Sequence, residues 1–154
     1  MVERYRDFTV LITKLNRSIK RIKSEEMREF NLKGPHVTCL YYLYKIGKTT
    51  ATTLCDIGQE DKATISRSIE YLEENGYIVC SSTKKKKYNA MLTLTDKGKV
   101  TAKAICKKID NILDVAGMEI KDRKRKIMYE CMSIISDNLE KISKLYDGGN
   151  PNAD

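Results

Sequence analysis

A single histidine, His36, and five cysteines without one CxxC pair leave this 154-residue sequence short of the ligands a metal centre needs. The cysteines (Cys39, Cys55, Cys80, Cys106 and Cys131) are odd in number and widely spaced, so a disulfide framework is not expected either. Their expected role in a reducing compartment is that of small buried hydrophobes. Tryptophan is absent, and only 2 prolines and 8 glycines punctuate the chain, which fits a mostly helical protein with few loops. There is no Gly-rich phosphate loop and no nucleophile elbow. His36 and Cys39 stand three apart and could pair as base and nucleophile, but nothing supplies a third, orienting group. Neither an enzyme nor a cofactor is expected. No run approaches the roughly 18 apolar residues of a membrane span. The first residues, MVERYRDFTVLITK, scatter charge where a signal peptide would be apolar, so a cytoplasmic location is expected.

What is present is positive charge and helical rhythm. Lys and Arg total 29 against 21 acids, a formal charge of +8, which makes a polyanion, and nucleic acid first among them, a plausible partner. Hydrophobic residues are 41% and charged residues 32%, enough apolar material for a folded core. Phe8, Leu11, Ile12, Leu15, Ile19 and Ile22 recur at three- and four-residue steps, predicting one long helix over residues 3 to about 29. Asn31 to Pro35 interrupts it. Pro35 suits the first turn of a second helix that runs to about Ile46, where Gly47 stops it. Thr49 or Thr50 can cap a short third helix, ATTLCDI, ended by Gly58.

The fourth stretch, DKATISRSIEYLEENGY, is the centre of the pattern. Asp61 is a good N-cap, and Gly76 can take the left-handed conformation that closes a helix. Ile65, Ile69 and Leu72 make one apolar stripe. Lys62, Thr64, Ser66, Arg67 and Glu70 occupy the other face, crowded toward its start. Short hydroxyls and cations at an exposed helix start suit a DNA major groove, where they reach base edges and phosphates directly. An ordinary amphipathic surface helix would show the same stripe. The neighbours decide: two short helices joined by a Gly-containing turn form a helix-turn-helix signature. After Tyr77 come the β-prone Ile78-Val79-Cys80, a basic SSTKKKKYNA, and the β-compatible Met91, Leu92, Thr93 and Leu94, the layout of a hairpin wing with a basic tip. Thr95 opens a further capped helix. A last helix from about Asp122 to Tyr146 places Ile127, Cys131, Ile134, Ile135, Ile142 and Leu145 on one side.

The run DKATISRSIEYLEENGYI, followed by a hairpin ending in LTLTDKGK, resembles the MarR family of winged helix-turn-helix transcription regulators over nearly the whole chain. The resemblance implies a mainly α fold with a small β-hairpin wing. Its expected parts are an N-terminal dimerisation helix (1–30), a winged helix-turn-helix DNA-binding domain (31–98), C-terminal dimerisation helices (99–147) and a disordered tail (148–154). It also implies a homodimer that binds double-stranded DNA at a pseudo-palindromic operator. The expected role is a repressor released by a small-molecule effector, in relatives often a phenolic or lipophilic anion. Carried over by position, Lys62, Ala63, Thr64, Ser66 and Arg67 correspond to the start of the recognition helix. The wing departs from the family pattern. Where relatives commonly carry Asp-x-Arg ahead of the L-T threonine, this chain has Lys86-Lys87-Tyr88, so the minor-groove arginine is missing. Lys84, Lys85, Lys86 and Lys87 are expected to contact phosphates as mobile point charges, which gives affinity more than sequence choice.

His36, Tyr41 and Tyr44 lie by position near the cleft where relatives hold their effector. Tyrosines at this spacing are more often core or interface, and a solitary histidine after a proline is more often a capping group than a ligand. A peroxide-sensing cysteine near the start of the first helix is absent. The main alternative is a winged helix used for protein contacts without specific DNA readout, but such domains lose the basic face that Lys62, Arg67 and the wing lysines keep here. RNA binding is a weaker option, since the stacking aromatics of common RNA modules are not evident.

Overall fold

The computed structural model describes residues 3–81 and 90–147. Its elements are α1 (Arg4–Glu26), a 3-10 turn (Arg28–Phe30), α2 (Gly34–Ile46), β1 (Lys48–Thr49), α3 (Ala51–Gly58), α4 (Lys62–Glu74), β2 (Ile78–Cys80), β3 (Leu92–Leu94), α5 (Asp96–Ala116) and α6 (Asp122–Asp147). The fold class matches the sequence reading, mainly helical with a small antiparallel sheet. The chain divides into two compact units, Met1–Asp110 and Asn111–Asp154.

In the first unit α4 packs on both α2 and α3. The core gathers Val37, Leu40 and Leu43 from α2, Leu54 from α3, Ile65, Ile69 and Leu72 from α4, Ile78 and Leu92 from the sheet, and Ala102 and Ile105 from α5. Each leucine or isoleucine removed from water there contributes about 1.5–3 kcal/mol before entropy is counted. Lys108 of α5 reaches Glu26 at 3.1 Å and Glu29 at 2.9 Å, tying α5 to the end of α1. α1 itself leaves Leu11, Leu15 and Ile19 half exposed or more, so its apolar stripe is not covered within this unit. In the second unit, Arg125 near the start of α6 donates to the carbonyls of Gly117 (3.2 Å) and Ile120 (3.3 Å), fastening the turn before that helix. α6 has no buried residue among those described.

Three local features differ from the sequence reading. Gly58 does not end α3 as a left-handed cap; it is the last helical residue, and Gln59 takes the left-handed conformation at φ 52°. The glycine is there for space, because an added Cβ would stand 2.9 Å from Thr38 Cγ2 of α2. Gln59 tolerates its backbone with help from its own amide, which donates to Asp56 O at 2.7 Å. Second, β1 has no counterpart in the pattern. Two residues are too short to show alternation, yet Lys48 pairs with Thr93 and Thr49 with Leu92, making a three-stranded sheet in the order β1-β3-β2. Third, the cysteines are not uniformly buried. Cys39 and Cys106 are, Cys55 and Cys80 are half-buried, and Cys131 is exposed on α6 along with the rest of that helix's apolar stripe. The wing lysines Lys84 to Lys87 and the tail at 148–154 lie outside the described residues.

Candidate nucleic-acid interface

The start of α4 is organised by its cap. Asp61 Oδ1 accepts the Thr64 N–H at 2.9 Å, and Asp61 Oδ2 accepts the Thr64 hydroxyl at 2.6 Å. These bonds, the hydroxyl first, hold the Asp61 carboxyl below the usual aspartate range. The chain continues outward, with Arg67 Nη2 donating to Thr64 Oγ1 at 3.2 Å. Asp61, Thr64 and Arg67 thus form one polar ridge, which lays the guanidinium along the helix and leaves its other donors for a partner. Ala63, Ser66 and Arg67 are exposed, Lys62 is exposed beside them, and Thr64 is half-buried. On the underside Ile65, Ile69 and Leu72 are buried as their spacing requires. Ser68 is buried with them, which periodicity alone would not suggest. Its hydroxyl is satisfied by donating to Thr64 O at 2.7 Å, so burial leaves no orphan donor.

The C-terminal half of α4 is fixed to the start of α2 by an aromatic pair. The His36 ring stacks on Tyr71 with centroids 4.2 Å apart and planes 5° from parallel. His36 Nδ1 accepts the Lys33 N–H at 3.2 Å, one half of a capping box, which sets the tautomer with the proton on Nε2. Burial, followed by the charge of Lys33, lowers the pKa of this histidine from its ordinary value of 6.5. Protonating Nδ1 would remove the acceptor. The folded state therefore prefers neutral His36. Its contribution is complete above about pH 6.5 and is lost as pH falls through the lowered folded value. Melting temperature is expected to be level above pH 6.5 and to decline below it. With no other histidine in the chain, His36→Gln should flatten the upper part of that decline. An unchanged pH profile in the variant would remove His36 from the account.

The structure separates the three ligand candidates. His36 lines a cavity of about 1060 Å³ together with Thr64, Arg67 and Tyr71, whereas Tyr41 and Tyr44 do not border it. Tyr41 instead meets Tyr42 edge-on at 5.3 Å and lies under Lys45, and Tyr44 is 38% exposed. His36 and Cys39 do not form a reactive pair. The histidine's acceptor nitrogen is engaged, and burial, with Glu60 adding to it, pushes the Cys39 thiol up to about 12. One link escapes sequence reasoning altogether. Lys23 of α1 is partly buried and donates to Thr38 Oγ1 at 2.9 Å, and that hydroxyl donates in turn to Gly34 O at 3.1 Å. Burial lowers the Lys23 pKa, against the opposing charge of Glu60. On the helix pattern Lys23 reads as one more solvated cation.

At the base of the wing the Ser81 N–H donates to Met91 O and the Met91 N–H donates to Ser81 Oγ, both at 2.9 Å. β2 and β3 are thus closed at their ends by a hydrogen-bonded pair, beside α4.

A family model described as a winged helix DNA-binding domain matches residues 37–113, half of the chain. The chain belongs to this family. The match begins inside α2, takes in the whole α3–α4 pair and the sheet, and ends within α5. The winged helix DNA-binding domain is continued by the fold of MarR regulators, which the solved structures share along most of the chain. A MarR-family transcriptional regulator from Listeria monocytogenes complexed with 26mer DNA superposes with a TM-score of 0.79 at 24% identity, covering 100% of each chain. MarR from Staphylococcus aureus in complex with salicylate and kanamycin gives 0.77 at 19%, covering 89% of this chain and 93% of that one. A Staphylococcus aureus MepR-DNA complex gives 0.72 at 16%, covering 86% and 97%. No curated protein matches the chain in sequence. No helix among the described residues is long and apolar enough to cross a membrane, and no metal-holding group of side chains occurs among them.

Proposed function

We propose that the protein is a homodimeric, sequence-specific DNA-binding transcription regulator, a repressor released by a small anionic effector. The observation that carries the DNA reading is the exposed Asp61-Thr64-Arg67 ridge at the start of α4 in a winged helix DNA-binding domain. Lys62, Ala63, Thr64, Ser66 and Arg67 would meet the major groove, and Lys84, Lys85, Lys86 and Lys87 the flanking phosphates. The Listeria and MepR relatives in complex with DNA support this direction, as the salicylate-bound relative supports an effector. A second copy fits the uncovered apolar stripes of α1 and α6, since Leu15, Ile19, Ile134 and Ile142 are each about half exposed or more. Two-fold pairing would present two α4 helices to a pseudo-palindromic operator. A winged helix used only for protein contacts is less favoured, because such domains lose the basic face that Lys62 and Arg67 keep exposed on α4.

The test is binding to a labelled fragment of the protein's own upstream region at two salt concentrations, against an unrelated duplex of equal length. Specific binding should resist competitor and fall steeply with salt. Arg67→Ala should weaken it by roughly 1–3 kcal/mol. Removing the four wing lysines together should weaken binding to both duplexes and flatten the salt dependence by about one unit for each phosphate no longer neutralised. Equal, weak binding to both fragments by the unaltered protein would count against a specific reader of that region.

A further inference from the structure

The cavity beside α4 has an electrostatic character that DNA reading by the exposed ridge does not use. It opens between the last turns of α1, the start of α2 and α4 itself. Five cationic side chains line it, Lys20, Lys23, Arg28, Lys33 and Arg67, against one carboxylate, Glu60. Arg28 already pairs with Glu25 at 3.1 Å, and Lys23 is held by Thr38. Lys20 and Lys33 make no ion pair among the described residues. Like charges gathered around one concavity repel each other until an anion enters. The start of α2 adds to the field. Gly34, Pro35 and His36 form its first turn on the cavity wall, the positive end of the 13-residue helix. The Gly34 backbone is open, with no heavy atom within 4 Å of where a Cβ would stand. Ser24 and Thr64 bring hydroxyls to the same wall.

We propose that this cavity binds phosphate groups, with Lys20, Lys33 and the first turn of α2 as the receiving charges and Arg67 as the link to DNA. A phosphate fits better than a carboxylate. It offers three acceptor oxygens to donors arriving from three elements, and a terminal phosphate brings close to two negative charges against this excess of cations. Two sources present phosphate oxygens to these charges: a free phosphorylated metabolite, whose terminal phosphate has the three oxygens and double charge just described, and the phosphodiesters of DNA flanking the groove that α4 would enter, which bring two free oxygens and one charge each. Arg67 borders both the cavity and the exposed ridge, so a free phosphate that captured its guanidinium would compete with DNA. The metabolite source deepens the effector reading above; the DNA source rests on the DNA-binding reading.

The experiment compares the full-length protein with Lys20→Gln/Lys33→Gln, both positions being exposed and outside the core. Pyrophosphate is titrated by thermal shift and calorimetry at matched ionic strength, and both proteins are then bound to duplex DNA at two salt concentrations. Saturable pyrophosphate binding that weakens tenfold or more in the double variant, and that lowers DNA affinity, supports the site with a free phosphate as its ligand. No pyrophosphate binding, but a salt dependence flatter by about two units in the variant, supports the site with the DNA backbone as its ligand. Equal pyrophosphate affinity in both proteins, or none in either together with an unchanged salt dependence, overturns the proposal. If the unaltered protein bound pyrophosphate but no duplex, the cavity would stand and the DNA reading would fall.

Discussion

Gly98→Ala is expected to destabilise the protein by about 3 kcal/mol, the upper end of what overpacking costs. Gly98 lies in the first turn of α5, and a Cβ built there would overlap the carbonyl oxygen of Tyr77 and approach its carbon to 3.0 Å. The obstacle is main chain, with no flexible side chain to swing aside. It is also held in place. Tyr77 O accepts the Thr95 N–H at 3.0 Å, the Thr95 hydroxyl donates to Gly76 O at 2.6 Å, and Thr95 Oγ1 accepts the Gly98 N–H at 3.0 Å. Lys97 adds a bond to Asn75 O at 2.7 Å and rests over the Tyr77 ring. These contacts clamp the start of α5 onto the turn that ends α4. The L-T-x-x-G run is therefore a packing device for α4. Urea or thermal unfolding checks it, with a fall in melting temperature of roughly 6–12 °C for a chain of this size. A melting temperature within a degree of the parent would mean that α5 shifts away from Tyr77 without penalty.

Ile19→Glu is expected to convert the proposed dimer to a monomer and to lower affinity for the proposed operator by a factor of about 100 or more, the avidity that disappears when two linked half-sites are bound singly. Ile19 is 59% exposed in the isolated chain, so glutamate, a good helix former, should leave α1 intact. In a two-fold pairing through α1 the same residue would be buried, and with it an unpaired carboxylate. Sedimentation at micromolar concentration reads the mass directly, and the salt-dependent binding assay reads the DNA consequence. A variant that stays dimeric and binds DNA normally would take α1 out of the interface.

The order and type of the helices could be read because each carries a long, regular stripe closed by a specific residue, as Asp61 and Gly76 close α4. Caps were legible where the capping chemistry is local: Thr95 for α5, and Thr50, one of the two adjacent threonines offered for α3, both accept the N–H three residues on. What the pattern hid depends on partners distant in sequence. β1 exists because Lys48 and Thr49 find β3, and Gly58 is fixed by its closeness to Thr38. At the candidate interface the residue types along α4 announced its exposed face. That Thr64 positions Arg67 was not legible, because it depends on the side-chain bonds that hold the Thr64 hydroxyl against Asp61. The cavity was not legible, because Lys20, Lys33 and Arg67 belong to separate elements, and only packing gathers their charges on one wall.

The closed base of the wing bears on how such proteins diverge. Ser81 and Met91 are bonded to each other, and β3 is held on its other side by β1, so the sheet is closed at this pair. Modest changes in the length of a loop closed by such a pair cost a few tenths of a kcal/mol in closure entropy, whereas Ala90 beside the pair is itself buried. Mutational drift can therefore rewrite the tip without endangering foldability. Under selection, a lineage could recharge the segment between β2 and β3 while α4 and its clamp stayed as they were.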